Sequence, residues 1–168
     1  MSDGAIRVLL VDDHELVRTG VRRLLEDTSG MEVIGEAGTG EEGEKRAEEL
    51  KPDVVVMDLS MPGGGGLEAT KRIAGRRGSP KVLVLTMHPE EDYLMPVLDA
   101  GGSGFVRKTS ADEDLTRAIR TVARGEVFLY PAAAGLLLSR YKVRQHEKNP
   151  LDVLTDRERD VLTMTAEG

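Results

Sequence analysis

Acidic, hydroxyl and ammonium side chains follow short apolar runs in the first 110 residues. Asp12 and Asp13 follow one run, Asp58 follows another, and Thr86 and Lys108 follow two more. If these runs are parallel strands of one sheet, their carboxyl ends share the edge where such sheets bind ligands. Three carboxylates in one place repel one another unless a cation lies among them. The pattern therefore predicts an acidic, cation-binding site that also holds a hydroxyl and an ammonium group.

These side-chain types suit the acceptance of a phosphoryl group. Oxygen ligands at a water-accessible rim favour Mg²⁺, which takes few protein carboxylates and keeps some of its waters. A divalent ion and an ammonium neutralise phosphate oxygens, and in-line transfer needs mainly positioning and charge stabilisation. Aspartate carboxylates form covalent phosphates of this kind. A single Asp at a strand end more often forms a turn or caps a helix, so the prediction depends on the combination.

Five short apolar runs supply the strands that this arrangement requires: Ile6–Val11, Met31–Ile34, Val54–Met57, Val82–Leu85 and Gly104–Val106. Four of them are rich in Val, Ile or Leu without polar alternation, which is typical of parallel strands covered on both faces. Segments with a helical spacing of apolar residues follow, as in Leu16–Leu25 and Leu115–Val122. Strand and helix alternate five times. We therefore predict an α/β domain with a doubly wound (βα)5 parallel sheet that ends near Arg124.

The chain after residue 125 is predicted to leave this domain. Residues 126–150 are expected to form a linker with a connecting helix over Ala132–Tyr141 and a boundary at an Asn-Pro pair. In residues 151–168, Thr155 and Glu158 form a capping-box pattern before apolar residues, which predicts one helix. A single helix cannot bury its own apolar face. We therefore expect this last unit to be docked on the first domain or to be a fragment of a second one.

Composition excludes several classes of function. The 168 residues include no Cys, no Trp and three His, which excludes thiol nucleophiles and disulfides and disfavours a histidine zinc centre. The absence of Cys fits a reducing cytosol, where we expect the protein to lie. Residues 1–125 hold 17 Lys and Arg against 23 Asp and Glu, so no basic surface for DNA is expected. No apolar run approaches the roughly 18 residues of a membrane span, so no membrane partner is expected.

Several segments resemble a known protein family. The blocks VLLVDDHELVRTGVRRLL, VVVMDLSMPGGGGLEA, VLVLTMH and GSGFVRKTS are similar to the signatures of two-component response-regulator receiver domains, with their flavodoxin/CheY-like fold. The similarity covers residues 5–124. The DDH opening, the connecting helix and the final LTDRERDVLTMTAEG resemble the NarL/FixJ subfamily, whose output domain is a LuxR-type helix-turn-helix. On this resemblance, residues 1–125 are the receiver, 126–150 the linker and 151–168 a truncated output domain.

The resemblance implies a phosphorylation site and a metal site. Asp58 would accept a phosphoryl group from a sensor histidine kinase. Asp13, Asp58 and the carbonyl of Ser60 would bind Mg²⁺, with Asp12 assisting, in part through water. The protein would be a signalling phosphoacceptor rather than an enzyme, with chemistry limited to its own phosphorylation and dephosphorylation.

The resemblance also implies a switch. Thr86 and Lys108 would contact the phosphoryl group, and Phe105 would enter the space that Thr86 vacates when it moves. Phosphorylation would favour a homodimer. On the resemblance, the dimer surface would lie on the first and fifth helices or on the face of the fourth. Independently of the resemblance, four apolar residues of the connecting helix offer another surface: Leu136, Leu137, Leu138 and Tyr141.

Two other classes of function stay open. A receiver that acts only through protein contacts, without DNA, fits the chain as given. An aspartyl-phosphate phosphohydrolase of the haloacid dehalogenase type needs an Asp-x-Asp nucleophile at the end of the first strand, which Asp12-Asp13-His14 does not supply. Specific DNA binding is expected of the full-length regulator but not of residues 1–168, because a recognition helix would lie beyond Gly168.

Two local features carry structural expectations. The run Gly63–Gly66 predicts an unusually free loop with weak order. Pro96 falls within the predicted fourth helix, where it predicts a kink or a late start.

Overall fold

A five-stranded parallel sheet forms the centre of the fold in the computed structural model, which describes residues 4–62, 65–87 and 90–145. Its strands are β1 (Ile6–Val11), β2 (Met31–Ala37), β3 (Val54–Asp58), β4 (Lys81–Thr86) and β5 (Gly104–Arg107). The helices are α1 (Glu15–Glu26), α2 (Gly40–Leu50), α3 (Gly65–Ala74), α4 (Glu90–Asp99), α5 (Ala111–Ala123) and α6 (Pro131–Gln145). The predicted doubly wound α/β fold is confirmed.

Both faces of the sheet are covered, which explains why its strands are apolar at nearly every position. Val8 and Leu10 of β1 pack in a cluster with residues of α1 and α5. Leu9 and Val11 of the same strand pack in a second cluster with residues of α2 and α3. Because successive strand side chains point to opposite faces, a strand covered on both sides needs apolar residues throughout.

The strand order β2-β1-β3-β4-β5 places a topological switch point between β1 and β3. Ligands of open α/β sheets bind outside the carboxyl ends of the strands at such a point. Val11 of β1 pairs with Met57 of β3, so Asp12 and Asp58 are the next residues along neighbouring strands. The two acidic groups predicted to share a site are therefore adjacent for topological reasons.

The glycine run after β3 begins a helix. Residues 63 and 64 lie outside the described ranges, whereas Gly65 and Gly66 form the start of α3. A Cβ at Gly66 would lie 2.1 Å from the carbonyl oxygen of Asp58 and 2.8 Å from the Cα of Leu59. The expectation of a weakly ordered loop is therefore wrong for Gly66, whose missing side chain lets α3 contact the end of β3.

Helix α4 accommodates a proline in its interior. The helix begins at Glu90, so the expected late start is wrong. Pro96 lies on the exposed side of the helix, while Leu94 and Leu98 are buried. Proline cannot donate the backbone hydrogen bond to the carbonyl four residues earlier, and this loss falls on the side that water reaches.

The segment after α5 closes the β5 edge of the sheet. Phe128 forms a parallel bridge with Gly104. The N–H of Phe105 donates to the carbonyl of Phe128 at 3.2 Å, and the N–H of Phe128 donates to the carbonyl of Ser103 at 3.1 Å. The guanidinium carbon of Arg107 also lies 4.6 Å from the ring centroid of Tyr130.

Helix α6 then packs on α4. Ala133 and Leu137 form a buried cluster with three α4 residues: Leu94, Met95 and Leu98. Leu137 is 1% exposed and Leu136 packs against the same cluster, so the expectation that both offer a dimer surface is wrong. Leu138 is 41% exposed. The side chain of Tyr141 and residues 146–168, including the predicted boundary and the Thr155 helix, lie outside the described residues.

Within residues 4–62, 65–87 and 90–145, no helix has both the length and the apolar character needed to cross a membrane.

Candidate functional site

Asp58 lies at the centre of the acidic edge of the sheet. It is the last residue of β3 and is 1% exposed. Its Oδ1 accepts a hydrogen bond from the N–H of Ser60 at 3.0 Å and lies 3.3 Å from the Nζ of Lys108. Its Oδ2 is buried and has no hydrogen-bond partner among the described residues. A buried oxygen without a partner is costly in a protein interior, so this atom is available to a cation or to a reacting group.

The surroundings of Asp58 change its acidity. Burial raises the pKa of the Asp58 carboxyl above its ordinary value, and the nearby Asp12 carboxylate raises this pKa further. The N–H of Ser60 and the Lys108 ammonium act in the opposite direction, without cancelling the effect of burial. The fold thus supports a charge on Asp58 only at a cost in free energy.

Asp12 and Lys108 flank this carboxylate. Asp12 directly follows β1 and is 5% exposed, and its Oδ1 accepts a hydrogen bond from the N–H of His14 at 2.8 Å. The Nζ of Lys108, which begins a 3-10 turn after β5, lies 3.1 Å from Asp12 Oδ2. This contact is an ion pair without hydrogen-bonding geometry, because Asp12 Oδ2 has no hydrogen-bond partner in the described part of the chain. One ammonium group therefore partly compensates two buried carboxylates.

Asp13 and His14 form the exposed rim of the site. The Nδ1 of His14 lies 3.1 Å from Asp13 Oδ1 and 3.3 Å from Asp12 Oδ1. Ligand atoms of four residues lie within 4.8 Å of one another: Asp12, Asp13, His14 and Asp58. His14 is not among the residues predicted for the site, although its position directly after the Asp pair is a usable signal.

The donor set fits a small divalent cation. Three carboxylates converge, and the Lys108 ammonium compensates only part of their negative charge. Carboxylate oxygens at a rim that keeps some water are the ligands that Mg²⁺ takes in proteins. Asp12, Asp13 and Asp58 could therefore hold this ion, while His14 is 60% exposed at the margin.

Thr86 and Phe105 lie on β4 and β5. Thr86 is the last residue of β4, and both side chains are completely buried. Phe105 pairs with Val84 in the sheet and packs in a cluster with Leu59 and Val97. The structure thus joins Asp12, Asp58, Lys108 and Ser60 by direct contacts, and the sheet places Thr86 and Phe105 on the neighbouring strands.

The raised pKa of Asp58 predicts an effect on stability. The folded state holds the Asp58 proton up to a higher pH than the unfolded state, so ionised Asp58 lowers stability above the raised pKa. We expect Asp58→Asn to increase the free energy of unfolding at neutral pH, with a gain that shrinks as pH falls from the raised pKa of Asp58 to the ordinary Asp value. Urea denaturation of both proteins across this range measures it. A gain independent of pH, or a loss at neutral pH, would contradict the raised pKa.

Comparisons with known proteins agree with this geometry. Residues 8–120 match the family described as the response regulator receiver domain. The transcriptional regulatory protein LiaR of Bacillus subtilis is 45% identical over 163 residues, which cover 97% of this chain and 77% of LiaR. The response regulator GacA of Pseudomonas aeruginosa is 43% identical over 162 residues, covering 96% of this chain and 75% of GacA. These relatives are named as regulators rather than as enzymes.

Solved structures show the same fold. The crystal structure of a LuxR-family two-component response regulator from Aurantimonas has a TM-score of 0.75 at 38% identity, covering 82% of this chain and 98% of that one. The isolated receiver domain of RcsB from Salmonella enterica, determined with the phosphomimetic BeF3−, has a TM-score of 0.70 at 32% identity over 79% of this chain and 99% of that one. By sequence, fold and the acidic edge of its sheet, this chain belongs to the response regulator receiver domain family.

Proposed function

We propose that this chain is the receiver of a phosphorylation-switched transcription regulator and that Asp58 is its phosphoacceptor. The observation that carries the proposal is the Oδ2 atom of Asp58, which is buried at the switch point of the sheet and lacks a hydrogen-bond partner among the described residues. The Ser60 N–H and the Lys108 ammonium both lie on the Oδ1 side of the same carboxylate. Oδ2 is therefore the atom left to act as nucleophile.

The residues around Asp58 have distinct roles in this proposal. Asp58 Oδ2 forms the new bond to phosphorus while the bond between phosphorus and the donor's leaving group breaks, and the leaving group departs with its electron pair. Lys108 neutralises charge on the phosphoryl oxygens, and the Thr86 hydroxyl donates to one of them. Such transfers need mainly positioning and charge stabilisation, which a fixed ammonium and hydroxyl supply.

Asp13, Asp58 and the Ser60 carbonyl are the proposed ligands of Mg²⁺, with Asp12 assisting through water. When bound, this ion offsets the charge of the carboxylates and of the transferred phosphoryl group. The support is the convergence of the carboxylates within 4.8 Å, together with a Lys108 ammonium that contacts two of them but not Asp13.

Asp13→Asn tests the metal site. We expect Mg²⁺ affinity to fall by at least about tenfold, because even outer partners of a metal site contribute this much. Phosphorylation by acetyl phosphate should slow in parallel, because less Mg²⁺ is bound. It should not be abolished, because the Asp58 nucleophile stays in place. Calorimetric Mg²⁺ titration measures affinity, and mass spectrometry follows the phosphoryl group. Asp27→Asn, at the far end of α1, removes the same charge as a control. Unchanged affinity in Asp13→Asn would refute this ligand assignment.

Phe105 is the proposed switch aromatic. Its ring lies in a cluster with Val84 and Val97, and the partly buried Leu129 packs against that cluster. Leu129 also packs against the cluster that joins α4 to α6. A rotation of Phe105 that follows a shift of Thr86 would therefore alter the packing of both helices.

A sensor histidine kinase is the proposed donor, and regulated DNA binding by a LuxR-type output domain is the proposed result. RcsB, a relative of known structure, occurs as dimers bound to DNA. We propose the domain organisation expected from the sequence, with a receiver at 1–125, a linker at 126–150 and the start of an output domain at 151–168. Because residues 1–125 hold 17 Lys and Arg against 23 Asp and Glu, residues 1–168 are not expected to read a DNA sequence.

Phosphorylation should favour a dimer. Leu94, Met95 and Leu98 of α4 pack against α6. This packing favours a dimer surface on the α1 and α5 side, where Leu16 is 84% exposed. We expect sedimentation equilibrium to give a larger mass when Mg²⁺ and beryllofluoride are added to the wild-type chain. Asp58→Asn should keep its mass under the same conditions. The same mass for the wild type with and without beryllofluoride would contradict the proposal.

A further inference from the structure

The guanidinium group of Arg18 connects the turn at Asp12 and Asp13 to α1 and β2. Arg18, in the first turn of α1, donates from Nη1 to the carbonyl oxygen of Asp12. Its Nε donates to Glu36 Oε1 on β2 at 3.0 Å. The side chain is 19% exposed, so it lies mostly within the fold. One planar group thus connects α1, β2 and the turn that follows β1.

The carbonyl that Arg18 holds determines where the next residue points. The oxygen of Asp12 belongs to the planar peptide unit that joins Asp12 to Asp13, so fixing this oxygen fixes the plane from which Asp13 departs. Asp12 has two other contacts: its N–H donates to the carbonyl of Ala37 at 3.0 Å, and its Oδ1 accepts from the N–H of His14. The first contact lies before the Asp12–Asp13 peptide, whereas the second closes a turn that contains this peptide. Arg18 adds a second constraint, on the carbonyl oxygen of the same peptide.

Arg18 is itself held in place. Glu36 accepts from Arg18 through Oε1 and from Arg22 Nε through Oε2 at 2.6 Å. Burial by itself would raise the pKa of Glu36, but the hydrogen bonds and charges of Arg22 and Arg18 outweigh it and lower this pKa. The ionised carboxylate therefore orients the guanidinium. Lysine has no fork of donors in fixed directions and could not hold both partners in the same geometry.

We propose that Arg18, oriented by Glu36, is a positioning residue that sets the direction of Asp13 for Mg²⁺ binding and so for phosphorylation of Asp58. The inference rests on the proposed function, because it concerns the same metal site. Arg18 would act through the Asp12–Asp13 peptide and touch neither the metal nor the phosphoryl group.

Loss of the Arg18 charge and loss of the fixed Asp13 position are expected to change Mg²⁺ affinity in opposite directions, which makes the proposal testable. Removing a cation near the site should strengthen Mg²⁺ binding by reducing repulsion. Losing the fixed peptide plane should weaken Mg²⁺ binding. Arg18→Lys keeps the charge and loses the two-sided contact, so it isolates position. Arg18→Gln loses both.

The experiment is a Mg²⁺ titration of the wild-type chain, Arg18→Lys, Arg18→Gln and Glu36→Gln, followed by calorimetry and by backbone amide shifts of the Asp12–Asp13 turn. Arg18→Lys should bind Mg²⁺ about tenfold more weakly, the size expected for partners beyond the ligands themselves. Glu36→Gln should have a smaller effect in the same direction. A double variant that combines Arg18→Lys with Glu36→Gln should lose less affinity than the sum of the two single losses, because both act through one contact. Arg23→Lys, on an exposed position of α1, is the matched control and should bind as the wild type does.

Stability is measured separately by thermal unfolding, and all titrations are made where every variant is folded. Saturating Mg²⁺ should restore the phosphorylation rate of Arg18→Lys by acetyl phosphate, which a merely structural defect would not show. Wild-type affinity in Arg18→Lys with lowered thermal stability would overturn the positioning role. Tighter binding in Arg18→Gln with unchanged binding in Arg18→Lys would assign Arg18 a purely electrostatic effect and also overturn it. If the wild-type chain itself bound no Mg²⁺, the proposed function would fail first.

Discussion

Asp58→Asn is expected to abolish phosphorylation of this chain by acetyl phosphate in the presence of Mg²⁺. Asn offers an amide nitrogen and a carbonyl oxygen in nearly the same volume, but neither is a nucleophile comparable to a carboxylate. The Ser60 N–H and Lys108 contacts show that one oxygen of Asp58 is held, while the other has no hydrogen-bond partner among the described residues. Intact-mass spectrometry should detect one added phosphoryl group on the wild-type chain and none on the variant.

The same substitution at two other aspartates tests whether the loss of phosphorylation is specific to Asp58. Asp12 also contacts the Lys108 ammonium, but its proposed role is to assist Mg²⁺ binding. Asp12→Asn should therefore slow phosphorylation without eliminating it. Asp99→Asn, on an exposed residue at the end of α4, should react as the wild type does. Peptide mapping identifies the modified residue. Phosphate on any other residue, with Asp58 unmodified, would refute the assignment.

Gly66→Ala should cause a large loss of stability although it adds only one methyl group. The new Cβ would lie 2.1 Å from the carbonyl oxygen of Asp58 and 2.8 Å from the Cα of Leu59. Both are backbone atoms, which cannot rotate away, so α3 must move or β3 must distort next to Asp58. Overpacking of this kind typically costs about 1–3 kcal/mol and sometimes more. Chemical denaturation measures the loss, and a Mg²⁺ titration of the folded fraction measures the damage to the site.

Gly20→Ala is the control for Gly66→Ala. A Cβ at Gly20, on the exposed side of α1, meets nothing within 4 Å. Gly20→Ala should raise stability by about 0.5–1 kcal/mol, because Ala in a helix interior is favoured over Gly. If Gly66→Ala were as stable as the wild type, the close approach of α3 to β3 would not exist as described.

The fold was predictable because its strands are covered on both faces. This burial leaves a sequence signal of continuous apolar runs, and the (βα)5 order then brings the strand ends together. The prediction that Asp12, Asp58 and Lys108 meet needed no more than this topology. The predicted third and fourth strands end one residue too early, because Asp58 and Thr86 are polar but belong to β3 and β4.

The features that the sequence did not reveal depend on tertiary contacts. A glycine run indicates freedom in a sequence, but at Gly66 the small residue serves a close backbone approach. Arg18 looks like any charged residue of a helix until the carbonyl of Asp12 is found beside it. Leu137 looks available for association because the pattern of α6 does not show that α4 covers it.

The bridge between Phe128 and Gly104 has a consequence for how this protein could be divided. A fragment ending at Arg124 would retain all five strands yet expose the N–H of Phe105, which donates to Phe128 in the intact chain. Open strand edges pair with other chains and promote aggregation. We therefore expect a fragment that extends past Phe128 to aggregate less than one that ends at Arg124, so the stably folded unit is longer than the one that holds the acidic site.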